Sequence, residues 1–174
     1  MLGGMATSAD ILADGFGRVR ESVHQAVAGL SAESLNLRVD ADANSIAWLV
    51  WHLTRVQDDH VADVAGWEQA WTAGGWHDRF GLSLPAADTG YGHSSAQVAA
   101  VTVDSADLLV GYHDAVCEQT LRYVGGLADA DLDEVIDEHW NPPVTLGVRL
   151  VSVIADDLQH AGQAAFIRGI AQRR

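Results

Sequence analysis

Residues 153–163 read Val153-Ile154-Ala155-Asp156-Asp157-Leu158-Gln159-His160-Ala161-Gly162-Gln163. Val153, Asp156, His160, Ala164 and Ile167 recur at spacings of three and four, the period of one face of an α-helix. An acid and an imidazole on an otherwise apolar stripe need a partner, because burying either alone is costly. Asp156 and His160 project from the same face with Cβ atoms about 5–6 Å apart, so a divalent ion accepted by both is one such partner. Ala161 and Gly162 leave room for a neighbouring helix. A carboxylate four residues before a histidine is also an ordinary helix-stabilising pair. Spacing alone leaves the two readings open.

The helix carrying this stretch follows Pro142-Pro143, takes Thr145 as its cap and runs to about Ala171. Three further segments have helical period. The first covers about Ser8 to Leu30, with Leu12, Phe16, Val19, Val23, Val27 and Leu30 on one face. The second starts after Asn44-Ser45 and runs to about Trp71, where Gly74-Gly75 ends the pattern; its stripe is Ile46, Leu49, Leu53, Val56 and Val64. The third begins near Ser105, carries Leu109, Tyr112, Val116 and Val124, and stops at Gly125-Gly126. With no stretch of period two long enough to call a sheet, the pattern predicts an all-α four-helix bundle forming one domain over residues 1–174. About thirty residues rich in Gly, Asp and Ser join the second and third helices, longer than usual for such a link. They read as a crossover connection or a lid, with a short helix from Ser94 turning Val98 and Val101 inward.

The second helix offers a third ligand. His52 lies beside its core stripe in Trp48-Leu49-Val50-Trp51-His52-Leu53, and facing helices of a bundle commonly build metal sites from such side chains. The predicted metal ligands are His52, Asp156 and His160. Two imidazoles and one carboxylate leave coordination positions open, the layout of a catalytic site. His60 stands eight residues after His52, about 12 Å along and about 80° round the helix, so the two do not share an ion. Asp59 and His60 are expected to line a pocket.

Other clusters read as structural. His113 and Cys117 are four apart, but Tyr112 and Val116 mark the core there. Glu21-Ser22-Val23-His24 is a single Glu-x-x-His, whereas a di-iron bundle needs two, with two further glutamates. Trp67 and Trp71 are spaced to share a face and to pack or line an interface. His77, His93 and His139 fall in loops and are expected to be solvated. There is no phosphate-binding glycine loop and no Gly-x-Ser-x-Gly elbow.

Composition narrows the partners. The formal net charge is −14, and all ten basic residues are arginine, so the field repels nucleic acid and anionic membrane surfaces. The lone cysteine, Cys117, excludes an internal disulfide. The stretch Met1 to Thr7 has neither the basic start nor the apolar run of a signal peptide. The expected compartment is the cytoplasm.

Ser45-Ile46-Ala47-Trp48-Leu49-Val50-Trp51-His52-Leu53, followed by Asp58-Asp59-His60, resembles the second helix of the DinB-like superfamily. Leu150 to Ala164, with Ile167-Arg168-Gly169, resembles its metal-binding fourth helix. Gly111-Tyr112-His113-Asp114 and Pro142 to Gly147 extend the likeness over nearly the whole chain, closest to the actinobacterial subgroup related to mycothiol-dependent maleylpyruvate isomerase. The resemblance implies a bundle with one divalent ion on His52, Asp156 and His160: zinc, with nickel and iron as the other candidates. Many members have histidine at all three positions, and the isomerase branch has glutamate where this chain has Asp156. The isomerase also carries an extra C-terminal domain, which is not expected after Arg174. The implied function is a metal-dependent thiol transferase or isomerase, in which the ion activates a low-molecular-weight thiol such as mycothiol toward a small electrophile, the protein being a homodimer. A hydrolase or other metalloenzyme, and a non-catalytic bundle acting through protein association, are the alternatives.

Overall fold

A computed structural model describes residues 6–173; Met1–Met5 and Arg174, at the two ends of the expected domain, lie outside the described residues. The architecture is the expected helical bundle. Its long members are α1 (Ser8–Val27), α3 (Ile46–Ala65), α7 (Ala106–Val124) and α8 (Leu146–Ala171). Both α1 and α3 pack against both α7 and α8, which puts α1 and α3 on one diagonal of a square. Short α2 (Ala32–Leu35) lies in the first connection, and α4 (Ala70–Ala73), α5 (Trp76–Phe80) and α6 (Ser95–Ala100) occupy the long one. Among the described residues no helix is long and apolar enough to cross a membrane.

Local chemistry sets the ends. Thr7 and Asp10 form a capping box on α1, and Thr145 caps α8 by accepting from Val148 N–H. Ser94 and Gln97 form a second capping box on α6, which buries Val98 and Val101 as predicted. The end of α3 departs from expectation. Gly66 adopts a left-handed conformation (φ +69°) and closes the helix eight residues before Gly74 is reached, because only a residue without Cβ takes this C-cap cheaply. Trp71 therefore belongs to α4, where it is buried against Trp51, Phe80 and Tyr112. Trp67, between the two helices, packs edge-on to Tyr123 and does not share a helix face with Trp71. A small sheet that the sequence did not suggest pairs β1 (Val135–Asp137) with β2 (Val144–Thr145) just before α8. Its strands are too short to show a period.

The α3 helix is buried almost all round. Beyond the predicted stripe it also buries Ala47, Trp48, Val50, Trp51 and Val61, while Val56 and Val64 are only half-buried. Each fully buried large apolar side chain contributes about 1.5–3 kcal/mol, and this helix supplies the largest share of them. It also buries Arg55, Gln57, Asp58 and His52.

His113 is fully buried beside Thr54. The Thr54 hydroxyl donates to Val50 O, so at 3.2 Å it accepts from His113 Nδ1–H, and Nε2 has no partner. Desolvation pushes the His113 pKa down to about 4. In the unfolded chain an imidazole titrates near 6.5, so below that pH the unfolded state binds a proton that the folded state refuses. Stability should therefore fall as the pH drops from 6.5 to about 4, by roughly 3 kcal/mol from this residue alone. Urea unfolding at pH 7 and pH 4.5 checks this: His113→Leu should flatten the difference, and an unchanged difference would refute the assignment.

Candidate metal centre

On the facing surfaces of α3 and α8, His52, Asp156 and His160 each bring one ligand-type atom within 4.8 Å of the others. The Nδ1 of His52 bonds the Thr89 carbonyl, and the Nδ1 of His160 bonds the Asp156 carbonyl at 2.9 Å. A carbonyl can only accept, so both rings carry their proton on Nδ1 and present the Nε2 lone pair. Burial holds the His52 pKa below its usual value and keeps the ring neutral. Asp156 Oδ2 is buried without a hydrogen-bond partner, 3.5 Å from His160 Nδ1. Trp48 stacks on His52 with centroids 4.6 Å apart, and His160 meets His52 edge-on at 4.8 Å.

This donor set fits a divalent ion. Two neutral imidazoles and a carboxylate are common zinc ligands, and an ion would satisfy the orphaned Asp156 oxygen, which otherwise carries a desolvation cost. Donors about 2.1 Å from one ion at a tetrahedral angle stand about 3.4 Å apart, so side-chain rotation on binding would have to draw the farthest pair in from its 4.8 Å separation.

The orientation of His52 is set by residues 86–93, which cross α3 as a strap. Trp48 Nε1–H donates to His93 Nδ1 at 3.0 Å, which fixes the His93 proton on Nε2, where it is donated to Asp88 Oδ1 at 2.9 Å. The same oxygen accepts Gly90 N–H at 2.8 Å. Gly90 has φ +92°, and a Cβ on it would fall 2.8 Å from His52 Nδ1 and 3.0 Å from Trp51. Only glycine lets the chain pass this close while Thr89 offers its carbonyl. His93 is thus not the solvated loop histidine that the sequence suggested; its side chain is 2% exposed.

Two of the three, His52 and Asp156, line a cavity of about 560 Å³ that Asp59 and His60 also line, as expected. Val56 and Val148 form apolar wall, Tyr91 and Trp140 stand exposed at the rim, and Arg149 lines it from α8. Arg149 stands seven residues before Asp156 and so shares its helix face; that spacing was a usable signal. The strap left none, since its role depends on contacts across the fold.

The remaining candidates fall away. Burial pushes the Cys117 thiol up to about 11, so it supplies no thiolate. His24 bonds Asp114 at 2.7 Å rather than a Glu-x-x-His partner. His77 belongs to α5, edge-on to Trp71, and His139 is solvated. Asp157, next to a candidate ligand, is fully buried with neither oxygen hydrogen-bonded, and desolvation raises its pKa well above the carboxylate range.

A crystal structure of a conserved protein from Enterococcus faecalis matches with a TM-score of 0.91 and 28% identity, covering 98% of this chain and 100% of that one. No curated protein matches the chain. The family model described as mycothiol-S-transferase matches residues 11–172. That match takes in all four long helices and every residue of the candidate centre, and the chain belongs to the mycothiol-S-transferase family, a DinB-like family.

Proposed function

We propose that the protein is a metal-dependent transferase that joins a low-molecular-weight thiol, mycothiol, to a small electrophile, with His52, Asp156 and His160 as metal ligands. The observation that carries this reading is the convergence of two imidazoles and an unpartnered carboxylate oxygen beside a cavity, in a chain of this family. A divalent ion there, zinc first and nickel or iron otherwise, would hold a thiol sulfur and lower its pKa from about 8.5, making thiolate available at neutral pH.

The chain's own part is to position and to exclude. Thr89 O and Asp156 O lock the two imidazole tautomers, the indole of Trp48 covers one face of His52, and Val56 and Val153 keep the reacting end apolar. In the transfer, sulfur bonds to the electrophilic carbon, the leaving group departs with its bonding pair, and the thiol proton passes to solvent. The same reading assigns the cytoplasm, where such thiols stay reduced, and a homodimer, as the DinB-like resemblance implies. The test incubates zinc-, nickel- or iron-loaded protein with mycothiol and either 1-chloro-2,4-dinitrobenzene or its carboxylate-bearing analogue 4-chloro-3,5-dinitrobenzoate. Thioether should form faster than without protein, and a background rate with all three metals would overturn the proposal.

A further inference from the structure

We propose that Arg149 and His60 form a carboxylate-binding subsite, so that the electrophile is an anionic one whose charged end lies about two helical turns from its reacting carbon. The assignment of that reacting carbon rests on the reading of His52, Asp156 and His160 given above. Arg149 precedes Asp156 by seven residues on α8, and His60 follows His52 by eight on α3. At 1.5 Å per residue both lie roughly 10–12 Å along the bundle from the ligand group, on the two helices that wall the same cavity.

The hydrogen bonding makes the pair a donor set. Arg149 Nη1–H donates to His60 Nδ1 at 2.9 Å. A guanidinium cannot accept, so the neutral His60 ring carries its proton on Nε2, and burial together with the Arg149 charge favours that neutral form. Among the described residues this is the sole hydrogen bond of the Arg149 side chain; Asp137 Oδ2 stands 3.6 Å from Nη2, an ion pair too long for a hydrogen bond. Other arginines are spent differently: Arg38 and Arg168 donate to backbone carbonyls, and Arg18 and Arg20 are held by aspartates. Arg149 keeps most of its fork for something else, with its side chain 18% exposed.

Charge argues the same way. A chain of net charge −14 repels an anionic substrate unless a local cation receives it. Among the described residues Arg149 is the one arginine lining this cavity, and planar bidentate pairing with carboxylate is what its geometry suits best. Asp59 also borders the space, but one of its oxygens is held by Gln69 Nε2–H at 2.7 Å. Valines lie between the two poles, so the ligand that fits is apolar in the middle and charged at one end. Mycothiol itself has no carboxylate, which leaves the anion to the electrophile.

Calorimetric titration of 4-phenylbutyrate and of 4-phenylbutyramide into EDTA-treated protein tests the subsite without turnover. The acid should bind the metal-free wild type, and Arg149→Gln should weaken it by roughly 10–100-fold, the range of a charge-assisted hydrogen bond. Arg149→Lys should recover part of the loss, and the amide should bind weakly to all three. Equal affinity of the acid for wild type and Arg149→Gln overturns the proposal. So does acid binding that requires zinc and vanishes in His160→Ala, since the carboxylate is then on the metal. If zinc fails to bind at all while acid and amide are still told apart through Arg149, the metal reading falls and the subsite stands.

Discussion

Protein reconstituted with zinc and dialysed should retain one ion per chain, while His52→Ala and His160→Ala should retain none. The reason is geometric. Among the described residues only His52, Asp156 and His160 converge as a ligand group, so removing either imidazole leaves two donors, which rarely hold an ion against buffer. Loss of an outer-shell partner costs about 10–100-fold in metal affinity, and loss of a ligand should exceed that range. Asp156→Asn should weaken binding less than either alanine, because the amide oxygen still coordinates but carries no charge. Elemental analysis of untagged protein provides the measurement. Equal metal in wild type and both alanine variants would discard the site. Arg149→Gln serves as the internal control, since it lies about two turns away and should keep its zinc.

The legibility of these features in the sequence followed their range. The fourth long helix was readable almost to the residue, because Pro142-Pro143 precedes it, Thr145 caps it, and Val153, Ala164 and Ile167 keep its period. Both α8 ligands could be placed on one face for the same reason. The end of α3 is masked in the sequence because apolar residues continue past Gly66 through Trp67 and Trp71, and a single left-handed glycine is a weaker mark than the Gly74-Gly75 pair. The place of His93 is hidden more deeply. Its burial comes from Trp48, forty-five positions away in the chain, and from the Asp88 carboxylate, and nothing in the residues flanking it signals either contact. The buried charges of α3 were invisible on the same ground: Arg55 and Asp58 look like a solvated helix face until α4, α7 and the strap are folded over them.

That hidden network should be the most sensitive point of the fold. Asp58 accepts from Ala70 N–H, Trp71 N–H and the Tyr112 hydroxyl, each at 2.8 Å, and lies 3.6 Å from Arg55 Nη1. Arg55 in turn donates to Gln69 Oε1 at 2.8 Å and to Asp88 O at 3.1 Å, with its guanidinium over the Trp71 ring. Both residues are fully or almost fully buried. Asp58→Ala would orphan two backbone amides and a hydroxyl, and would leave the guanidinium without its counter-charge. Breaking one side of a buried pair costs about 3–5 kcal/mol, and at this chain length the melting temperature should fall by roughly 10 °C. The double variant Arg55→Met/Asp58→Ala should regain part of that loss, because it also removes the stranded charge. A single-variant loss below about 1 kcal/mol would show that water or rearrangement satisfies Arg55 instead. The effect should reach the metal centre as well. Arg55 holds the strap by the carbonyl of Asp88, immediately before the Thr89 carbonyl that orients His52, so Asp58→Ala should bind zinc more weakly than wild type even at temperatures where it stays folded.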